Sequence, residues 1–301
     1  MILAVCLSLT ACNKNILSPD GYYWFEDPTS FPDAFEEILT YDVSLAHQTP
    51  SNSEEVKVDG YTIDVTKGVY VTKLKAVRSN HGNYYEYTTT FEFEGVYKTP
   101  SAEKPFADTF TSYTKFTSDL TPIETWKEYK QQFIFDYSYK YNITYSDTKA
   151  SCTLTEYPGT DNETTSTFDF DEYSSGAYID NDAILLFARL FNATTTFNKS
   201  FKTIDVLSRK NHTMVYAAGL IDEKVDVKSL DNYVINGVEP TEAKINCARI
   251  NVSISDTFSG NPIESYYATD HKTHRHRLVE TYTKLTGNLG YLKYSLKSAK
   301  L

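Results

Sequence analysis

The chain has 301 residues, a net charge of −11 and an apolar share of 41%. That length supplies a sizeable core without covalent staples, and the acidic balance excludes the phosphate-neutralising surface that nucleic acid requires. Composition adds a fold class: 25 Tyr and 17 Phe suit the pleated, half-buried surface of a β-rich protein.

Residues Ile2 to Leu9 form a short apolar run, and Leu9-Thr10-Ala11-Cys12 sets two small residues before a cysteine. Spanning a bilayer takes about 20 apolar residues, so this run reads as the core of a secretion signal instead. The motif resembles the lipobox of bacterial lipoproteins, whose matching cysteine is diacylated on sulfur and becomes the first residue after cleavage. The resemblance implies a signal peptide at 1–11, a lipid on Cys12, a tether at 12–30, and a body facing outside the cytoplasm. An ordinary secretory signal would export the chain equally but leave Cys12 a thiol. At about 0.8 kcal/mol per buried CH₂, two acyl chains anchor firmly where one does not. With Cys6 and Cys12 so assigned, Cys152 and Cys247 remain; in an exported protein they could pair, but both sit in strand-like runs and could equally be buried, small apolar residues, with the balance slightly towards unpaired.

A single β-rich domain is expected over 31–301. Phe31, Phe35, Ile38 and Leu39 share one face at helical spacing, which predicts a short amphipathic helix over Ser30–Leu39. The period then changes to two. Tyr61, Ile63 and Val65 alternate with polar residues, Lys67-Gly68 reads as a turn into Val69–Val77, and the next strand carries Tyr85, Tyr87, Phe91, Phe93 and Tyr97 on one face. Thr99–Pro105 reads as a loop, and a second irregular connection passes Thr121-Pro122. The longest alternation is Gln132–Tyr145, with Phe133, Phe135, Tyr137, Tyr139, Tyr141, Ile143 and Tyr145 on one side. At ~3.3 Å per residue such a strand exceeds about 40 Å and calls for a large, curved sheet.

Cys152–Tyr157 and Thr164–Asp171 read as further strands. An interior helix is expected over Asp180–Asn192, capped by Asp180, Asn181 or Asp182 and apolar nearly all round, so that it packs on the concave face. Lys202–Leu207 and Thr213–Ala218 are shorter strands, Asn236-Gly237 turns, and the last third is a four-strand meander over Ala248–Ile254, Ile263–Thr269, Arg275–Leu285 and Tyr291–Ser298.

Motifs for chemistry are sparse. His271, His274 and His276 form the one histidine cluster, but Lys272, Arg275 and Arg277 crowd it with positive charge, and a basic turn is the favoured reading. No nucleophile elbow, P-loop or dinucleotide fingerprint occurs. The expectation is therefore a non-enzymatic protein with no metal or cofactor. The aromatic faces outnumber the helices available to cover them, which points to a concave apolar surface open to a ligand. Phe133, Phe135, Tyr137, Tyr139 and Tyr141 of the long strand, with Leu186 and Leu190 of the helix, are the expected ligand contacts. Export, long strands and a buried helix together resemble the half-open β-barrels of the LolA, LolB and LppX group. That resemblance implies lipid or acyl binding without catalysis. The rival is a surface-displayed module meeting a protein or glycan, and an enzyme built on the 271–276 histidines ranks last.

Overall fold

The computed structural model describes residues 31–301, apart from 33, 53–59, 81, 119, 134, 192–196, 219–225, 231, 241–243, 255–262, 271–272 and 286–288. The signal peptide, Cys12, the tether and His271 lie outside the described residues. One sheet carries every described strand: β1 (Phe35–Ala46), β2 (Thr62–Val77), β3 (Tyr84–Thr99), β4 (Ala102–Thr117), β5 (Pro122–Gln131), β6 (Tyr137–Tyr145), β7 (Ala150–Glu156) and β8 (Thr164–Phe170) make the first part. The second part is β9 (Phe197–Asp205), β10 (Lys210–Ala218), β11 (Asp226–Ser229), β12 (Val234–Ile235), β13 (Lys244–Ile254), β14 (Ile263–Ala268), β15 (Leu278–Lys284) and β16 (Tyr291–Lys300). The order runs β8-β7-β6-β5-β4-β3-β2-β1-β16-β15-β14-β13-β10-β9, with β11 beside β13 and β12 beside β16. This is a half-open, antiparallel β-barrel, as the strand patterns predict.

Alternation places one side chain of each strand in every interior row, and the pairing makes those rows continuous around the wall. Tyr41 opposes Tyr70, Tyr70 opposes Phe91, Phe91 opposes Phe110 and Phe110 opposes Tyr129. Phe91 stacks on Phe110 with centroids 5.0 Å apart, and such pairs add about 0.5–1.5 kcal/mol beyond their burial. Within β2 the chain does not turn at Lys67-Gly68; a bulge at Thr66 shifts the register instead. The bulge moves the inward set from Ile63 and Val65 to Tyr70, Thr72, Leu74 and Ala76, joining two runs of opposite phase into one strand. Gly68 is required there, because a Cβ would fall 1.9 Å from the Val43 carbonyl oxygen.

The expected helix at Ser30–Leu39 is the strand β1. Phe35, Leu39, Tyr41 and Val43 fit a strict period of two once Glu37 is counted among the inward residues. Glu37 is 1% exposed and paired on both oxygens, with Arg189 at 2.6 Å and Arg277 at 2.8 Å. Burial alone would push its carboxyl up, but the two guanidinium groups overcome that and hold it below the ordinary value. A charge facing the core is what disguised the strand.

Two segments read as loops are also strands. β4 points Phe106, Asp108, Ser112, Thr114 and Phe116 inward, so half of its core face is polar and resembles a solvent face. Pro105 is tolerated because β5 pairs only from Thr109 onward, leaving the start of β4 an edge. Conversely, the single strand expected over Gln132–Tyr145 is broken. The Asp108 carboxylate accepts from the backbone N–H groups of Gln132 (2.6 Å) and Phe133 (2.8 Å), and these bonds replace the ladder. β6 begins only at Tyr137.

The interior helix is shorter and tighter than expected. Asp180 caps it through Asp182 N–H (2.9 Å), and the plug then runs as a 3₁₀ turn (Asn181–Ala183), one α turn (Ile184–Phe187) and a second 3₁₀ turn (Ala188–Leu190). It is anchored rather than periodic. Tyr216 donates to the Ile184 carbonyl (2.8 Å), Tyr267 to that of Leu185 (2.9 Å), and Phe187 meets Phe116 edge-on at 5.3 Å. The four-strand meander is present as β13–β16, but Arg275–Arg277 belong to a turn before β15, with Arg275 and His276 at positive φ.

Candidate functional site

The two ends of the sheet, β8 and β9, do not form a ladder with one another. They meet through side chains. Ile204 and Val206 from the β9 end pack against Tyr141, Cys152, Leu154 and Phe170 in a core cluster distinct from the main one. Arg209 bonds Ser166 of β8 (3.0 Å) and lies over Phe168 (4.5 Å), and the segment before the plug bridges to Lys202. This seam carries a partly open pocket of about 310 Å³. Lys127, Tyr139 and Tyr141 form one wall; Thr203, Asp205 and His212 form the other, with Asn181 of the plug between them.

The cavity wall follows from local pairing. Lys127 opposes Tyr141, and Tyr129 opposes Tyr139, so all four share the inner face of β5 and β6. Tyr139 stacks on Tyr129 at 4.9 Å and lies parallel to Tyr141 within 6°. Lys127 bonds Asp182 at 2.5 Å, and the Tyr141 hydroxyl donates to the other oxygen of Asp182 at 2.7 Å. Burial would lower the Lys127 ammonium, but Asp182 more than compensates and raises it above its ordinary value. His212 Nε2 lies 3.5 Å from an Asp205 oxygen. Behind this wall, Asp180 accepts from Thr114 (2.9 Å), Thr125 (2.5 Å) and Tyr145 (3.1 Å) as well as capping the plug. Burial first, and the neighbouring Asp182 second, push its carboxyl up to about 6 despite those donors. The buried hydroxyls of Thr203 and Tyr173 have no hydrogen-bond partner among the described residues.

The expected ligand contacts are therefore divided among three places. Tyr139 and Tyr141 line the seam cavity. Phe133, Leu186 and Leu190 are buried in the main core, where Phe133 packs on Phe106 at 4.7 Å. Phe135 is 52% exposed, and Tyr137 bonds Glu156 (2.8 Å) at the rim. Lys127, Thr203, Asp205 and His212 were not singled out from the sequence. The available signal was Lys127 in the alternation Thr125, Lys127, Tyr129, a charge set among inward positions.

The histidines do not behave as a strand pair. His276 Nδ1 lies 3.0 Å from the Ala268 carbonyl, while His274 lines a separate groove of about 660 Å³ together with Asp270 and Thr273. Among the described residues no three His, Cys, Asp or Glu side chains are placed to hold a metal ion. Cys152 and Cys247 are buried free thiols, each pushed up to about 12 by burial.

No protein-family model matches this chain, and no curated protein matches it. Among solved structures, it is similar to a β-barrel-like protein of the domain of unknown function DUF1849 from Brucella abortus, known from a crystal structure. The TM-score is 0.50 at 10% identity, covering 88% of this chain and 96% of that one. At that identity the shared property is the fold, a β-barrel-like wall.

Proposed function

We propose that this is a non-enzymatic binding protein, exported and tethered to a membrane through lipid on Cys12, whose ligand occupies the seam cavity. The observation that carries the reading is the contrast within the barrel. Among the described residues the main core packs the plug against the protein's own aromatic side chains, whereas the seam carries a pocket with Tyr139 and Tyr141 on its wall. Ligand pockets run from roughly 300 to 1,000 Å³, so about 310 Å³ suits one ring system or a short chain rather than a two-chain lipid. We therefore narrow the expected lipid or other apolar ligand to a small one with an apolar face.

Filling the cavity tests this. Asn181→Leu and Asn181→Phe, at an exposed lining position, should progressively reduce the ligand seen by native mass spectrometry of the purified full chain, with the far-UV circular dichroism of a β protein retained. Undiminished ligand in both variants would exclude the seam. The tether is tested separately: Cys12→Ser should move the protein from membrane to soluble fractions, and continued membrane partition would refute lipidation.

A further inference from the structure

We infer that the free edge of β8 takes up an extended peptide strand, with β-branched or hydroxyl side chains at alternate positions and Lys or Arg at its ends. This surface is separate from the seam pocket and does not depend on a ligand there. β8 stands at one end of the sheet order, and among the described strands β7 alone runs beside it. In an antiparallel ladder every second residue turns its N–H and C=O away from its partner strand. A row of backbone groups along Thr164–Asp169 is therefore without a ladder partner among the described residues. Natural sheet edges are blunted by lysine, proline or a bulge. β8 has none of these. Its register against β7 runs from Thr164 to Phe170 without a shift, and its one charge, Asp169, is tied back by Lys149 (2.7 Å) and Ser151 (2.8 Å) of the β7 side. The other end of the sheet is covered: Ile179 N–H donates to the Lys202 carbonyl (2.9 Å), and Lys202 N–H to that of Ala177 (3.1 Å). On the outer face of β8, the Thr165 hydroxyl lies 3.1 Å from that of Thr155, and the Thr167 hydroxyl 3.4 Å from that of Thr153. A strand laid beside β8 continues both rows, which suits Thr, Ser or Val at alternate positions. Charge then decides between occupants. A second copy pairing about a two-fold axis along the whole of β8 sets Thr164 opposite Phe170, and so Glu163 opposite Asp171 at both ends. Those like charges oppose self-pairing, whereas Glu163 at one end, with Asp171 and Glu172 at the other, favours a peptide with basic ends.

Fluorescence anisotropy of the purified full chain with a labelled, end-blocked peptide Lys-Thr-Val-Thr-Val-Thr-Lys tests this. The peptide should bind, with an affinity that falls as salt rises. Exchanging its terminal lysines for glutamates should weaken binding by about tenfold or more. A strand held by one edge uses the N–H groups of alternate residues only, so N-methylating one alternate set should abolish binding and N-methylating the other should not. Hydrogen exchange should slow within Thr164–Phe170 when the peptide is added. Thr165→Lys combined with Thr167→Lys, both on the exposed outer face, should cut affinity about tenfold with the thermal midpoint unchanged. The inference is overturned if the basic peptide does not bind, if both N-methylated sets bind like the parent, if exchange slows only elsewhere, or if the lysine variant binds undiminished. A dimer of the chain in sedimentation, dissociated by the same two lysines, would make a second copy the occupant and overturn the peptide assignment.

Discussion

The barrel has two interiors of different construction. Around β1–β4 the wall is continuous, the plug is inserted, and contact is aromatic on aromatic, with Phe93, Phe116 and Phe187 almost wholly buried. Around β6–β9 closure relies on side chains and on a short backbone bridge from residues 177–179 to Lys202, and the interior carries ion pairs, tyrosine hydroxyls and a pocket. Ladder hydrogen bonds fix strand spacing, so the first region packs to one solution. A seam without a ladder has no such constraint. Under the proposed function, the ligand belongs at this joint and not among the packed aromatic side chains around β1–β4.

The comparison breaks most visibly at Glu37, which binds the plug and the turn before β15 to β1. Glu37→Leu leaves Arg189 and Arg277 buried without their anion and should cost about 3–5 kcal/mol in urea unfolding. A loss under about 1 kcal/mol would show that the triad is solvated. Next comes acidity. Because Asp180 is pushed up to about 6, the folded state binds more protons than the unfolded chain between that value and the ordinary carboxylate range. Its contribution is fully present at low pH and is lost as pH rises through about 6. Wild type should therefore lose up to about 3 kcal/mol relative to Asp180→Asn between acid and neutral pH, at about 1.4 kcal/mol per pKa unit. Parallel stability curves for the two proteins would refute the shift. The seam itself should give least. Ile204→Val removes one methylene from the loose cluster and should cost about 1 kcal/mol or less, near the low end for such changes. A cost as large as that of Phe187→Ala in the plug, about 3–5 kcal/mol, would show that the two interiors are packed alike.

The fold was legible wherever core faces are apolar. β3 shows its register in Tyr85, Tyr87, Phe91 and Phe93, all buried, and the β13–β16 meander is written in Ile250, Val252, Tyr266 and Leu296. It was illegible where polar residues point inward for a partner far away in sequence. Thr114 and Thr125 face the core because Asp180 of the plug accepts from both, and neither strand reveals that alone. Glu37 hid β1 for the same reason. The site fared likewise: Tyr139 and Tyr141 stood out as aromatic alternation, but Thr203, Asp205 and His212 become a wall only once β9 is brought against β6. The break at Gln132–Asp136 likewise needs Asp108 to be in place first.

The strand order also sets a timetable for folding. From β1 to β8 each strand pairs with its sequence neighbour, so the loops to be closed are short and hairpins can add one after another. β1 has its other edge reserved for β16, the last strand of the series, and Glu37 waits for Arg277 across 240 positions. Until that strand arrives, one edge of the barrel offers unpaired backbone groups beside a carboxylate lacking one of its two counter-ions. On loop-closure grounds the long-range join of β1 to β16 is the expected slow step, and the interval before it is when the free edge of β1 is expected to be most open to pairing with another copy.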